Sequence, residues 1–193
     1  MPLSLSKGQN LSLTKEAGPA GLTQVVIGLG WDARTTDGAA FDLDSSAIVV
    51  GADGGVLSDR HFVYFNNLDS GDGAVRHSGD NLTGEGEGDD EQILLDLSVM
   101  PAHADRIVIA VSIYDAEARR QSFGQVRKAY ARCINVPTKQ ELVRYDLTED
   151  AATETAMVFV EVYRHGAEWK FRAVGQGYST GLAGIARDFR VNV

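Results

Sequence analysis

Hydrophobic residues recur at every second position along most of this chain, which is the period of a β-strand. Turn residues such as Asp53-Gly54-Gly55 separate the alternating runs. In Val25-Val26-Ile27 and in residues 107–111, hydrophobic side chains instead occupy successive positions, which is typical of central strands buried on both faces. The predicted strands are 3–5, 11–13, 22–29, 41–50, 61–66, 92–97, 106–114, 141–146, 155–164 and 168–174.

One segment has helical spacing instead. Residues 179–189 carry apolar side chains at intervals that place them on one face of a helix, and a helix is predicted there. Residues 116–130 are polar and fit neither period. Many short strands and one helix predict an all-β fold, a two-sheet antiparallel β-sandwich with a short C-terminal helix. Because no Pro/Ser-rich linker interrupts the pattern, we expect residues 1–193 to form a single domain.

The charge balance narrows the classes of function. Lys and Arg number 18 against 27 Asp and Glu, a formal net charge of −9, so we expect no binding to nucleic acid. The single cysteine, Cys133, excludes an internal disulfide framework and cysteine-based zinc sites. We see no secretory signal and no apolar stretch long enough to be a transmembrane segment, so a cytoplasmic protein is expected.

The acidic charge is concentrated in residues 80–91. This segment holds six carboxylates and no basic residue, with glycines at positions 84, 86 and 88. Such closely spaced like charges repel one another unless a cation neutralises them. Ca²⁺ takes about six to eight oxygen ligands from carboxylates, amides and backbone carbonyls, and this segment offers all three. The residues therefore favour a calcium site, and a solvated acidic loop is the alternative.

Other ion-binding motifs fit the segment less well. An EF-hand needs glycine at its sixth position, where Glu85 stands, and a helix on each side. A phosphate-binding loop needs a Gly-Lys-Ser/Thr sequence, which is missing here. Zinc is not expected without Cys or nearby His ligands.

Three further side chains offer oxygens that would join the same site. Strand alternation places Asp42 and Asp44 on one face, where they would reach one ion or two adjacent ions, and a solvated strand face is the alternative. Asn66 closes another predicted strand and carries an amide oxygen, with a turn role as its alternative. The role of Asp32 is left open.

Eight stretches with distinctive motifs follow one another over nearly the whole chain. They include Gly28-Leu29-Gly30-Trp31-Asp32, Phe41-Asp42-Leu43-Asp44-Ser45 and the acidic segment itself. The others are 65–67, 119–124, 145–150, 168–175 and 177–178, and the acidic stretch runs from 79 to 91. Together these stretches resemble the tellurite-resistance TerD family.

The resemblance implies a two-sheet β-sandwich that binds Ca²⁺, as two ions at one end, in a bacterial cytoplasmic protein of the tellurite-resistance and general stress response. It also implies protein partners in a stress-response complex, in some cases associated with a membrane. The metal ligands it implies are Asp80, Asn81, Glu85, Asp89, Asp90 and Glu91, with Asp42, Asp44 and Asn66 as further ligands.

The remaining residues give catalysis little support. Residues 177–181 match the Gly-x-Ser-x-Gly pattern around Ser179, but no histidine follows, so a hydrolase triad is not expected. Cys133 lies in an apolar stretch, as a core thiol does. We therefore predict a non-enzymatic calcium-binding protein whose Ca²⁺-organised loops contact partners. The alternative is a Mg²⁺- or Mn²⁺-dependent phosphate-cleaving enzyme that uses the same carboxylates.

Overall fold

The structure, a computed structural model, describes residues 2–33, 41–79, 88–147 and 153–192. Within these ranges the chain is mainly β. The strands are β1 Leu3–Leu5, β2 Asn10–Ser12, β3 Gln24–Ala33, β4 Leu43–Gly51, β5 Phe62–Val63, β6 Val75–His77, β7 Glu91–Asp96, β8 Ala104–Ile113, β9 Val126–Asn135, β10 Gln140–Asp146, β11 Ala156–His165 and β12 Glu168–Tyr178. The α-helices are α1 Leu13–Ala17, α2 Ala116–Arg119 and α3 Gly181–Asp188.

The strands form two sheets of six. Sheet A has the order β1-β10-β9-β3-β7-β6, and sheet B has the order β2-β12-β11-β8-β4-β5. Neighbouring strands run antiparallel except at one edge of sheet A, where Leu3 of β1 pairs with Val143 of β10 in parallel register. The predicted two-sheet β-sandwich is confirmed. The parallel edge was not predicted, because alternation along one strand carries no information about the direction of its partner.

Side chains from both sheets fill the space between them. Ile27 and Ile93 from sheet A and Ile109 and Phe159 from sheet B are fully buried in this core. The other face of sheet B is covered in part by α3, whose Ile185 belongs to a second apolar cluster. Strand β4 is therefore buried along its whole length.

The double burial predicted for residues 107–111 is confirmed, since Ile107, Val108 and Ile109 are all fully buried. The same prediction for Val25-Val26-Ile27 is only partly right. Val25 and Ile27 face the core with no exposure, whereas Val26 is half-buried on the outer face of sheet A.

Several element boundaries differ from the prediction. Leu13 begins a helix rather than ending a strand, because Ser12 Oγ caps the helix by accepting the Lys15 N–H at 3.2 Å. The strand predicted over 61–66 is shortened to β5 by a turn in which Tyr64 and Asn67 exchange backbone hydrogen bonds. The ambiguous residues 116–130 contain α2 and the start of β9. Helix α3 confirms the helix predicted over 179–189.

Strands β6 and β7 are neighbours at one edge of sheet A, where His77 pairs with Ile93 in antiparallel register. In the sequence, residues 80–87 come between these two strands. Among the helices described here, none is both long and apolar enough to cross a membrane.

Candidate metal centre

The three carboxylates that end the acidic segment, Asp89, Asp90 and Glu91, form what we call the acidic root. It lies where β7 begins beside β3. Glu91 pairs with Leu29, and the Asp90 N–H donates to the Leu29 carbonyl at 2.8 Å. The backbone of the acidic root is therefore held against β3, a central strand of sheet A. Its three carboxylate side chains point in different directions and have different partners.

The carboxylate of Asp90 is crowded by negative charge. Its Oδ2 accepts the Trp31 N–H at 2.8 Å, which lowers the pKa of this carboxyl group. Burial has the larger effect and raises the pKa, and the charges of Glu91, Asp89 and Asp32 raise it further. The pKa of Asp90 therefore lies above its ordinary value of 3.8, because the ionised form is disfavoured there.

Asp32, whose role the sequence did not determine, lies near the acidic root. Strand β3 continues beyond Trp31 to Ala33, and this brings the Asp32 charge close to Asp90. Its Oδ2 lies 3.3 Å from Lys128 Nζ in a largely exposed ion pair. The available signal was its position directly after Trp31 in the distinctive stretch 28–32.

Asp89 is turned towards the outer face of sheet A. Its side chain is fully buried and forms an ion pair with Arg132, in which Nε donates to Oδ1 at 2.7 Å and Nη2 donates to Oδ2 at 3.0 Å. The Tyr130 hydroxyl donates to Oδ1 at 3.0 Å, and Gln92 Nε2 donates to Oδ2 at 3.0 Å. Burial and the charged hydrogen bond to Asp89 raise the pKa of Tyr130 to about 12.

Glu91 points into the sandwich and links the two sheets. Its side chain is 1% exposed, and Oε2 accepts the backbone N–H of Ser45 from β4 at 2.7 Å. His77 Nε2 lies 3.3 Å from the same oxygen and 2.9 Å from Ser45 Oγ. The Gly79 N–H donates to His77 Nδ1 at 2.9 Å, so in the neutral ring Nε2 carries the proton.

This cluster has the residue types of a hydrolase triad without its geometry. In a triad the carboxylate orients the histidine through Nδ1 while Nε2 faces the nucleophile. Here Glu91 and Ser45 both lie at Nε2, and Nδ1 is occupied by the Gly79 N–H. All three side chains are also buried. The arrangement therefore ties β4, β6 and β7 together rather than presenting a nucleophile.

The predicted ligands of β4 and of the following turn lie in different surroundings. Asp44 is buried and pairs with Ser112 of β8, so it does not lie on a solvated strand face. Asp42 immediately precedes β4, is half-buried, and accepts the Tyr114 N–H through its backbone carbonyl at 2.8 Å. Asn66 is exposed in the turn that follows β5.

The other three predicted ligands, Asp80, Asn81 and Glu85, lie outside the described residues. Over ranges 2–33, 41–79, 88–147 and 153–192, no three His, Cys, Asp or Glu side chains come together as a metal-binding group. This result agrees with the different directions in which the side chains of Asp89, Asp90 and Glu91 point. Of the predicted ligands that are described, Asp89 and Glu91 lie close enough to Asp90 for their charges to act on it. Asp32, which was not a predicted ligand, does so as well.

Two surface clefts are lined by residues other than those of the acidic root. One of about 470 Å³ is lined by His103, Asp105 and Arg164, and one of about 490 Å³ is lined by Glu117 and Ser179. Ser179 stands between a strand and a helix, as in a nucleophile elbow, but the Asp188 that follows accepts the Tyr178 hydroxyl at 3.0 Å.

The chain matches the TerD domain over residues 1–189. It is 55% identical to the tellurium resistance protein TerD of Serratia marcescens, covering 100% of this chain and 99% of that protein. It is 52% identical to general stress protein 16U of Bacillus subtilis, over 100% of both chains.

A crystal structure of a Streptomyces coelicolor homologue of the telluride resistance protein TerD has a similar fold. The TM-score is 0.69 at 25% identity, and the match covers 86% of this chain and 96% of that one. The relatives carry the names of resistance and stress proteins. With a matching domain along nearly its full length and close relatives of equal length, this chain belongs to the TerD family.

Proposed function

We propose that this protein binds Ca²⁺ through residues 80–91 and that the bound ions organise a surface for protein partners of a bacterial stress response. Membership of the TerD family, whose relatives are named for tellurium resistance and general stress, supports the physiological setting. The cytoplasmic location and the stress-response complex belong to the same proposal, as does the count of two ions.

One observation carries the metal proposal. The carboxylate of Asp90 is held near the charges of Asp89, Glu91 and Asp32, and its pKa is raised as a result of burial and of these charges. Lys128 and Arg132 already pair with Asp32 and Asp89, and a bound cation would further favour the ionised form of Asp90. Carboxylate oxygens are the donors that Ca²⁺ prefers, so the residues fit this ion.

The proposed ligand set combines described and undescribed residues. Asp90 and Asp32 are the nearest described carboxylates, and Glu91 extends the charge into the sandwich. Asp80, Asn81 and Glu85 would supply oxygens from the acidic segment, with Asp42, Asp44 and Asn66 as further ligands. When bound, Ca²⁺ would neutralise this cluster and hold the two ends of residues 80–91 together.

The proposed role is non-enzymatic. The Ser45, His77 and Glu91 side chains are buried in a geometry that does not prepare a nucleophile, which supports this part of the proposal. Neither cleft described above is lined by a residue of the acidic root. The competing function, a Mg²⁺- or Mn²⁺-dependent phosphate-cleaving enzyme, would require the same carboxylates to hold a metal with exchangeable water beside a base.

Calorimetric titration of metal-free protein with Ca²⁺ and with Mg²⁺ tests the proposal, with thermal unfolding followed in both states. We expect micromolar or tighter Ca²⁺ binding. At free Ca²⁺ about 100 times Kd, the folded state should gain about 2.7 kcal/mol per site. A flat Ca²⁺ titration would contradict the proposal, and a preference for Mg²⁺ would favour the phosphate-cleaving enzyme.

The partner surface needs a separate test. Association with proteins of the stress response should depend on Ca²⁺ in the wild type and should be lost in Asp90→Asn. Binding that is identical with Ca²⁺ and with a chelator would separate partner recognition from the metal.

A further inference from the structure

Asp89 accepts four side-chain hydrogen bonds from described residues. Both of its carboxylate oxygens accept hydrogen bonds from the Arg132 guanidinium, and each oxygen also accepts one from a neutral side chain. The side chain has no solvent exposure. A dication that approached these oxygens would meet the positive charge of Arg132 within 3 Å of both.

Arg132 is itself fixed in a central strand. Its Nη1 donates to Glu141 Oε2 of β10 at 3.0 Å. The hydrogen bond to Asp89 is the main cause that raises the pKa of Arg132, so the guanidinium stays charged. Releasing Asp89 to bind a metal would break a partly buried, bidentate ion pair. Breaking such a pair is unfavourable, because it leaves a charge that is partly removed from water without its partner.

Two glycines of β3 provide the space for this arrangement. A Cβ atom on Gly28 would overlap the Asp89 carboxylate, and one on Gly30 would overlap the Tyr130 ring. Both side chains therefore lie directly on the β3 backbone. Any larger residue at position 28 would displace Asp89 while removing neither a charge nor an oxygen ligand.

We propose that Asp89 is a positioning residue rather than a metal ligand: through its ion pair with Arg132, over the space left by Gly28, it fixes the acidic root so that Asp90 faces the ion. The inference rests on the proposed function, because it concerns the same calcium site. Asp90 directly follows Asp89, so the Arg132 pair restrains the backbone from which the Asp90 carboxylate extends. Groups that orient a ligand from behind it typically change metal affinity by about 10- to 100-fold when removed.

The test compares Ca²⁺ affinity in Gly28→Ala, Arg132→Met, Asp89→Asn and the double variant Arg132→Met with Asp89→Asn. We expect each single variant to lose about 10- to 100-fold in affinity and the double variant to lose no more than either parent. Arg132→Lys keeps the positive charge but cannot form the bidentate hydrogen bonds of a guanidinium. Its Ca²⁺ affinity should therefore lie between those of the wild type and Arg132→Met.

A matched control separates positioning from general destabilisation. Gly177→Ala in β12 would overlap the Glu154 side chain, which gives comparable strain in sheet B. It should lower the unfolding temperature of the metal-free protein and leave the Ca²⁺ affinity unchanged. If Gly28→Ala does not fold, Arg132→Met and the double variant carry the test.

The outcomes are distinct. If Asp89→Asn loses binding while Arg132→Met and Gly28→Ala keep or exceed wild-type affinity, Asp89 is a ligand and the inference is wrong. The same holds if the losses of Arg132→Met and Asp89→Asn add in the double variant. A flat titration of the wild type overturns the proposed function and the inference together.

Discussion

Ser45 donates its backbone N–H to Glu91 Oε2 at 2.7 Å, and this bond joins sheet B to sheet A at the end of the sandwich where the acidic segment begins and ends. Because both residues are buried, water cannot replace the acceptor if it is lost. The geometry of the acidic end therefore depends on a carboxylate that also belongs to the predicted ligand set.

Replacing Glu91 by Ala should destabilise the metal-free protein. The Ser45 N–H would lose its acceptor, and His77 Nε2 would lose a neighbouring carboxylate, so we expect a loss of about 2–3 kcal/mol in the free energy of unfolding. Urea denaturation measures it. Glu91→Gln, which keeps an oxygen for the Ser45 N–H, should lose less. Glu16→Ala, an exposed carboxylate of α1, serves as control and should stay within about 0.5 kcal/mol of wild type.

Asp90→Asn should act in opposite directions on stability and on binding. Its raised pKa means that the ionised carboxylate is disfavoured in the metal-free fold, so removal of the charge should stabilise that state at pH 7. In a chain of this size, about 1 kcal/mol corresponds to about 2–4 °C in Tm. Asparagine still offers an oxygen to the Trp31 N–H.

The same variant should bind Ca²⁺ much more weakly, since an amide oxygen replaces a charged ligand. Asp105→Asn removes an equal charge near the start of β8. It should neither stabilise the metal-free protein nor weaken Ca²⁺ binding. Two results would contradict the assignment of Asp90 as a crowded carboxylate that binds Ca²⁺. One is a Tm of metal-free Asp90→Asn below that of the wild type, and the other is an unchanged Ca²⁺ affinity by calorimetry.

The stability contributed by Asp72 should depend on pH. Burial alone would raise the pKa of this carboxyl group, but hydrogen bonds from Ser70 Oγ and the Ala74 N–H, together with His61, hold it below its ordinary value of 3.8. The folded state therefore favours the charged form. Its contribution is present above pH 3.8 and is lost as the pH falls through that value towards the lower pKa of the folded state.

Urea denaturation of wild type and Asp72→Asn over this pH range measures the contribution. The difference in unfolding free energy should be less than about 1 kcal/mol for this partly exposed group and should shrink as the pH falls below 3.8. Ser70→Ala removes one donor and should reduce the same pH dependence. If the difference in unfolding free energy between wild type and Asp72→Asn grew as the pH fell, the prediction would be wrong.

Cys133 should not react with thiol reagents while the protein is folded. Its side chain is buried in the core and burial raises the pKa of the thiol, so both access and thiolate are lacking. Reaction with a disulfide reagent at pH 8 should be slow under native conditions and fast in urea. If the proposed function is right, Cys133→Ala should confer the same tellurite resistance as the wild type in a complementation assay. Rapid native labelling would contradict this, and loss of resistance in a folded Cys133→Ala would implicate the thiol in the protein's action.

The period-two pattern determined the general fold from the sequence alone. Strand periodicity located β8, β10, β11 and β12 to within a few residues, but it missed β9, whose first residues are mostly polar. The predicted strand boundaries were wrong at the Ser12 helix cap and at the Tyr64 turn, because local hydrogen bonds replace strand hydrogen bonds at both places. The acidic segment was also recognised from the sequence alone, because the number of charged residues in a segment does not depend on the structure.

Only the tertiary structure revealed that three consecutive carboxylates have different partners. Asp89 is paired with Arg132, Glu91 is paired with Ser45 in the opposite sheet, and Asp90 accepts the Trp31 N–H near the charge of Asp32. The first two contacts join residues 43 and 46 positions apart in the chain. A sequence specifies the chemistry of each side chain and the face on which alternation places it. Its partner, and hence its pKa and its availability to a metal, depends on which distant strands the fold brings beside it.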